Sequence, residues 1–117
     1  MTVTGSAAVL PVSDLAASVA FYVNVLGFHE DFRFGKYAGV SLGAVQIHLN
    51  GNAFARAGHG EIYLFVDEVD QLAAAIIARG ARVECPLADQ AYGLRDVMFL
   101  DLDGNRLSFG CPVAKKP

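Results

Sequence analysis

A row of polar side chains lies along one short segment of this 117-residue sequence. If residues 44–50 form a strand, Gln46, His48 and Asn50 share one face, and apolar residues occupy the other. Histidine can exchange protons, form hydrogen bonds and bind metals near neutral pH. Such a row either lines a cleft or faces solvent, and the sequence leaves both alternatives open.

Aromatic residues lie on other predicted strands or at the edges of loops, and the candidates are Phe32, Phe34, Tyr37, Tyr63 and Tyr92. Aromatic walls hold flat ligands by stacking and cationic ligands by cation–π contact. Core packing is the usual role of each phenylalanine. A tyrosine carries a hydroxyl that needs water or a polar partner, so we interpret the tyrosines as the stronger candidates for a binding site.

Three other patterns do not support the chemistry that they suggest. Residues 39–43 match Gly-x-Ser-x-Gly, but in a serine hydrolase a helix follows the serine directly, and residues 44–50 predict a strand. Residues 101–105 are similar to the start of a calcium loop, but its twelfth position is Pro112 instead of glutamate, so we predict a hairpin turn. The spacing of His29, His48 and His59 matches no zinc motif.

Composition limits the kind of protein and its partners. Hydrophobic residues make up 54% and charged residues 18%, with a mean hydropathy of +0.39, which predicts a filled core and a surplus in a ligand cleft or subunit interface. The net charge of −3, without a basic patch, argues against nucleic acid as a partner. No apolar run predicts a membrane span, and Met1–Ser6 does not resemble a signal peptide, so we expect a cytoplasmic protein. Cys85 and Cys111 are expected to be reduced, buried packing residues.

Hydrophobic periodicity predicts the same order of elements twice. A strand at 7–12 precedes a helix capped by Ser13-Asp14 and ended by Gly27, and three strands follow up to Asn50. After a linker at 51–60, the order recurs from 61 to 110, with Asp67 as the expected N-cap of the second helix and a short strand at 82–85. We predict one α+β domain over residues 1–117, in which two β-α-β-β-β modules, at 7–50 and 61–110, form one curved mixed sheet around a cleft.

Several short motifs in this order resemble a known family: Val12-x-Asp14-Leu15, Phe21-Tyr22-x-x-x-Leu26-Gly27-Phe28, Tyr92-Gly93-x-Arg95 and Asp101-x-Asp103-Gly104-Asn105. With the repeated module, they resemble the vicinal oxygen chelate superfamily (glyoxalase, bleomycin resistance protein and dioxygenase) from about Ala7 to Gly110. The segments 26–32, 37–40 and 92–95 look most like those of bleomycin-resistance proteins.

The resemblance also implies where a metal would be bound. The ligand positions of the superfamily's enzymes correspond to Ala7, Gln46, Glu61 and Ser108. Alanine cannot coordinate a metal, Gln46 and Ser108 are weak neutral ligands, and only Glu61 is a good one. We therefore expect no metal and no cofactor. As an alternative, a lyase or dioxygenase of the superfamily would hold its metal through Glu61, His48 and another group.

For a bleomycin-resistance protein, the resemblance implies a homodimer that sequesters a small molecule in two clefts at the subunit interface. A flat, cationic antibiotic of the bleomycin type would stack between Tyr37 and Tyr92, and the position of Tyr92 carries tryptophan in the proteins resembled. The other expected ligand-binding residues are Phe32, His48, Glu61 and Tyr63. We expect Glu30, Asp31 and Glu61 to bring negative potential to the mouth of the cleft.

Overall fold

Each half of the chain folds as a strand, a helix and three further strands, in a computed structural model that describes residues 1–114. The last three residues of the predicted domain lie outside the described residues. The N-terminal module consists of β1 (Ala8–Pro11), α1 (Leu15–Asn24), β2 (His29–Phe34), β3 (Tyr37–Leu42) and β4 (Val45–Asn50). The C-terminal module consists of β5 (Glu61–Phe65), α2 (Val69–Ala78), β6 (Arg82–Asp89), β7 (Leu94–Leu100) and β8 (Arg106–Pro112).

The strands form two four-stranded mixed sheets, one in each module. The strand orders are β1-β4-β3-β2 and β5-β8-β7-β6. The pairs β1–β4 and β5–β8 are parallel. The sheets lie together as one curved surface that does not close. The predicted α+β class and the two β-α-β-β-β modules are confirmed, and the predicted linker contains a short 3₁₀ turn at Phe54–Arg56.

Each helix covers one face of its own sheet and leaves the other face open. Helix α1 packs against β2, β3 and β4, and α2 packs against β6, β7 and β8. On β4, Ile47 and Leu49 point into the core and are fully buried, whereas Gln46 is exposed and His48 is half-buried. The polar row predicted for this strand therefore lies on the face opposite the helix.

The turn between β7 and β8 joins the two modules. One Asp101 oxygen accepts hydrogen bonds from the backbone of Asp103 and Asn105, at 3.0 and 2.9 Å. The other accepts from the hydroxyl of the fully buried Tyr22, at 2.9 Å, and the Asn105 side chain donates to the carbonyl of Pro11 at the end of β1. The predicted hairpin turn is confirmed, and its polar side chains connect the modules.

The two helices begin differently. The Asp14 side chain accepts a hydrogen bond from the backbone of Ala17 at 3.1 Å, which confirms the first predicted cap. The prediction of Asp67 as the second cap is wrong, because the N-cap of α2 is Glu68. The Glu68 side chain forms no capping hydrogen bond. The backbone N–H of Val66 still donates to the carbonyl of Gly110 in β8, so the chain stays with the sheet past β5 and the helix starts later.

Strand β6 departs from the sequence-based expectation in length and in burial. It extends to Asp89 instead of ending at Cys85, and its pairing with β7 shifts register on both sides of Cys85. Because β6 is an edge strand, the predicted burial of Cys85 is wrong, and this thiol is exposed. Cys111 is half-buried, and neither cysteine forms a disulfide within the described residues.

Candidate ligand-binding site

Three of the predicted site residues lie together on the open face of the N-terminal module. Phe32, Tyr37 and His48 form a group that we call the N-terminal aromatic cluster. The rings of Phe32 and Tyr37 are almost parallel, with centroids 6.3 Å apart and planes 21° apart. The His48 ring is nearly perpendicular to both, at centroid distances of 5.3 Å, and its Nδ1 lies 2.9 Å from the Tyr37 hydroxyl.

A bulge in β2 and a glycine in β3 set the position of Phe32. The pairing of β2 with β3 shifts between Glu30 and Phe32, which places Phe32 directly opposite Gly39. The ring then lies across Gly39, where a Cβ atom would collide with it. Phe32 keeps 42% of its surface exposed, so one side of the ring remains available to a ligand.

A pocket of about 270 Å³, which we call the N-terminal pocket, adjoins this cluster. Its polar lining includes Gln46, His48 and the Ser41–Asp31 pair, in which the serine hydroxyl donates to the carboxylate at 2.9 Å. Glu30 forms an ion pair with Arg33 at 2.8 Å, which lowers the pKa of its carboxyl. The negative potential expected from Glu30 is therefore offset by its neighbour.

A second group lies on the open face of the C-terminal module. Both Tyr63, at 2.9 Å, and Tyr92 donate their hydroxyl protons to one oxygen of Asp96, and Gln90 donates to the other at 3.1 Å. We call these four residues the C-terminal carboxylate cluster. Asp96 is only 6% exposed, and none of the cationic side chains in residues 1–114 forms an ion pair with it.

The two tyrosines of this cluster respond electrostatically to Asp96. Burial raises the pKa of the Tyr63 hydroxyl, and the hydrogen bond and negative charge of Asp96 raise it further. The largest cause that raises the pKa of the Tyr92 hydroxyl is its hydrogen bond to Asp96. Both phenols therefore remain hydrogen-bond donors to the carboxylate at neutral pH, and this bonding fixes the direction of their rings.

Tyr63 also lies over a glycine of the neighbouring strand, but it reaches Gly110 diagonally from its position opposite Ser108. A Cβ atom on Gly110 would collide with the Tyr63 hydroxyl, and the ring centroid lies 5.1 Å from that of the exposed Phe65. A pocket of about 330 Å³ opens here, and we call it the C-terminal pocket. It is lined by Glu61, Tyr63, Cys85, Gln90, Tyr92, Asp96, Met98 and Ser108.

The six predicted site residues thus divide into two groups of three. Phe32, Tyr37 and His48 lie in the N-terminal module, and Glu61, Tyr63 and Tyr92 lie at the C-terminal pocket. The two pockets share no lining residue, and Tyr37 is part of the lining of neither one.

Sequence reasoning missed Asp96 and Gln90. The signal for Asp96 was a lone carboxylate next to the apolar run of β7, on the face opposite Val97 and Phe99. No comparable signal marked Gln90, because it lies after β6 and reaches Asp96 only through the turn that precedes β7.

The four metal positions implied by the family are also divided between separate pockets. Gln46 lines the N-terminal pocket, whereas Glu61 and Ser108 line the C-terminal one. In residues 1–114 no three His, Cys, Asp or Glu side chains are grouped to hold a metal. One carboxylate, two neutral oxygen donors and Ala7 do not fit the ligand sets of the superfamily's metal enzymes.

Two larger cavities adjoin the pocket of the N-terminal module, because each of them shares lining residues with it. One, of about 600 Å³, is lined by residues 4–7 together with Ala44 and Gln46. The other, of about 640 Å³, lies between the β3–β4 turn and the start of α2. Neither contains a polar side chain hydrogen-bonded to an aromatic one, so both are weaker candidates for recognising a specific ligand.

Two open, aromatic module faces on a repeated β-α-β-β-β scaffold define a class of small-molecule-binding or metal-enzyme domains. The chain belongs to the glyoxalase/bleomycin resistance protein/dioxygenase superfamily, because the model of that family matches residues 6–109. The recognition made from the sequence is confirmed. No curated protein matches the chain.

Three solved structures illustrate the relationship. TnmS3, an antibiotic binding protein from Streptomyces sp. CB03234, is 25% identical, with 97% of this chain and 99% of that chain covered and a TM-score of 0.82. The bleomycin-binding protein of Streptomyces verticillus, solved with copper(II)-bleomycin, is 25% identical, with coverages of 98% and 99% and a TM-score of 0.78. TioX from Micromonospora sp. ML1 is 25% identical, with coverages of 93% and 100% and a TM-score of 0.80.

No helix within residues 1–114 is long and apolar enough to cross a membrane.

Proposed function

We propose that this protein binds and sequesters a small molecule with a flat ring system and a cationic group, of the bleomycin type, without a metal. The observation that carries the proposal is that the N-terminal aromatic cluster and the C-terminal carboxylate cluster each present an aromatic ring on an open module face. Phe32 offers a free ring face in one cluster, and Tyr92 is 65% exposed in the other. The antibiotic-binding and bleomycin-binding proteins of the same fold support this class of ligand.

The C-terminal pocket supports a cationic group on the ligand. Glu61 and Asp96 are two carboxylates in its lining, and the lining contains no basic side chain. Aromatic rings next to uncompensated carboxylates favour cations over neutral or anionic groups. A planar ring on Phe32 and a cation near Glu61 would thus engage the N-terminal aromatic cluster and the C-terminal pocket together.

The division of the site between modules supports a homodimer. Within one chain the two clusters line different pockets, although a ligand held between Tyr37 and Tyr92 needs both. A second copy that places its C-terminal module opposite the N-terminal module of the first would complete two equivalent clefts. Light scattering at micromolar concentration should then give the dimer mass, and a monomer of full stability would contradict this part of the proposal.

Metal independence follows from the donor set at positions 7, 46, 61 and 108. Elemental analysis of the purified protein should find no stoichiometric zinc, nickel, manganese or iron, and chelator should leave the melting temperature unchanged. One tightly held metal per chain that is lost in Glu61→Ala would favour the alternative, a lyase or dioxygenase. The cytoplasmic location expected from the sequence stays a prediction.

The test of binding is calorimetric titration with bleomycin. Tyr37→Ala and Tyr92→Ala should each weaken binding several-fold or more, because a stacked ring contributes about 0.5 to 1.5 kcal/mol beyond its buried area. Phe54→Ala is the matched control, since Phe54 is an exposed aromatic residue of the linker, outside both clusters. Melting curves of all variants separate lost binding from lost folding.

Two results would contradict the proposal in different ways. Equal bleomycin affinity in the wild type and both tyrosine variants would remove these residues from the site. No measurable binding by the wild type would withdraw bleomycin as the ligand and leave the family assignment unchanged.

A further inference from the structure

The hydrogen bond between Tyr37 and His48 occupies only one nitrogen of the imidazole ring. Nδ1 lies 2.9 Å from the Tyr37 hydroxyl, whereas Nε2 has no hydrogen-bond partner in residues 1–114. His48 lines the N-terminal pocket and Tyr37 does not. Nε2 is therefore the ring nitrogen that is free to bond to a molecule in this pocket.

The Tyr37 hydroxyl decides which nitrogen of His48 carries the proton. In a neutral imidazole one nitrogen donates and the other accepts, and the hydrogen bond at one nitrogen fixes the state of the other. A phenol is a stronger donor than an imidazole N–H, and an imidazole nitrogen is a stronger acceptor than a phenol oxygen. In the neutral form of His48 the favoured arrangement is therefore a hydroxyl that donates to Nδ1, with the ring proton on Nε2.

The ring planes allow this N–H to meet the edge of a stacked ligand. The imidazole is nearly perpendicular to the Phe32 ring, at 88°. A flat ligand on the free face of Phe32 runs parallel to that ring, so it is perpendicular to the imidazole. The Nε2–H bond can then lie in the ligand plane, where the lone pairs of a ring nitrogen or carbonyl oxygen point.

Other polar groups of the pocket are less suited to this task. The Ser41 hydroxyl already donates to Asp31, so that pair presents mainly acceptors to the pocket. The amide of Gln46 offers a donor and an acceptor and does not discriminate between them. His48 is thus the group in the pocket whose hydrogen bonding is set to one direction.

We propose that His48 is a specificity-determining donor that selects flat ring systems bearing a hydrogen-bond acceptor on their edge. The inference rests on the proposed function, because it assumes that a planar ligand stacks on Phe32. It adds the chemical class of that ring: a heteroaromatic nitrogen or a ring carbonyl instead of a plain hydrocarbon.

The first measurement needs no ligand. Nitrogen NMR of the imidazoles should show Nε2 of His48 protonated and Nδ1 unprotonated, with the signals assigned by their loss in His48→Phe. In Tyr37→Phe, which removes only the hydroxyl, the two signals should move toward the average of the two tautomers. A protonated Nδ1 in the wild type would overturn the proposal.

The second measurement uses two ligands of the same shape. The aminomethyl derivatives of phenazine and anthracene carry the same ammonium group and differ in the ring nitrogens of phenazine. The measured quantity is the ratio of the phenazine affinity to the anthracene affinity. This ratio should be about two- to ten-fold lower in His48→Phe than in the wild type, since one hydrogen bond to phenazine is lost. His59→Phe, at an exposed linker histidine, is the matched control and should leave the ratio unchanged.

The outcomes separate this inference from the proposed function. If neither compound binds the wild type, the planar-ligand proposal fails at its first step and the inference fails with it. If both bind and the ratio is the same in His48→Phe, the inference alone is overturned. If the ratio changes in Gln46→Met and not in His48→Phe, the selecting donor is Gln46 and the proposal for His48 is wrong.

Discussion

In both modules an aromatic ring lies across a glycine of the neighbouring strand, but the polar groups around the two rings differ. Phe32 lies over Gly39 beside an imidazole, and Tyr63 lies over Gly110 beside a buried carboxylate. The two rings occupy different positions of the repeated scaffold, because Phe32 on β2 lies directly opposite Gly39 on β3, whereas Tyr63 on β5 reaches Gly110 on β8 diagonally. The side chains around the two rings make one half of the site a hydrogen-bond donor and the other half negatively charged.

The comparison shows how one fold can recognise a molecule with two unlike ends. The N-terminal cluster is held mainly by ring contacts, and its single internal hydrogen bond joins Tyr37 to His48. The C-terminal cluster is held by three hydrogen bonds that converge on Asp96. The C-terminal half should therefore depend on its polar centre for stability, and the N-terminal half should not.

The largest expected effect follows from removing that polar centre. Asp96→Ala deprives two tyrosines and Gln90 of their acceptor, so it should lower the free energy of unfolding by about 2 to 3 kcal/mol. Asp31→Ala, which removes a more exposed carboxylate bonded to Ser41, should cost less than about 1 kcal/mol. Urea denaturation of the two variants measures the difference, and equal losses would refute the contrast between the halves.

The next largest effect follows from filling the space under the rings. Gly110→Ala should displace Tyr63 from Asp96 and cost about 1 to 2 kcal/mol, because an added methyl overpacks the contact. Gly39→Ala should cost less, since Phe32 is 42% exposed and can turn toward solvent. Denaturation curves give the stabilities. A greater loss for Gly39→Ala would show that Phe32 is held as firmly as Tyr63.

Much of the scaffold could be predicted from the sequence because its signals are local. Alternation along 44–50 predicted strand β4 and its polar face, and Asp14 predicted the cap of α1. The cap of α2 could not be placed, because a long-range hydrogen bond from Val66 to Gly110 delays the helix. The extent of β6 was missed for a similar reason, since its bulged pairing with β7 is a tertiary contact.

The candidate site was less predictable than the scaffold. Aromatic residue types on strands indicated Phe32, Tyr37 and Tyr63, but no local pattern shows that one carboxylate collects three donors from different segments. The turn motif at 101–105 marks the family in the sequence, and the structure shows its role: Asp101 and Asn105 connect the modules. A motif can thus identify a fold without belonging to its binding site.

The helix caps test the same comparison at a smaller scale. Asp14→Ala removes a capping bond from α1 and should cost about 1 kcal/mol. Glu68→Ala removes no capping bond from α2, so the change should lie within about 0.5 kcal/mol. Thermal or urea unfolding distinguishes these values, and an equal cost in both variants would mean that the Asp14 side chain contributes no capping energy.

The smallest expected effect is a change in the pH dependence of stability caused by Tyr63, which is seen only in alkaline solution. Burial and Asp96 raise the pKa of this hydroxyl in the folded state above the ordinary value of 10.0. Below about pH 10 both states keep the proton, so the stabilisation is fully present; above it the unfolded chain loses the proton first and stability falls. Tyr63→Phe should therefore show a shallower decline of the urea midpoint between about pH 9 and pH 11 than the wild type. Some decline should remain, since burial also raises the pKa of Tyr22. Identical slopes in the two proteins would show that Asp96 does not hold the Tyr63 proton in the folded state, and the C-terminal cluster would then lose its distinguishing feature.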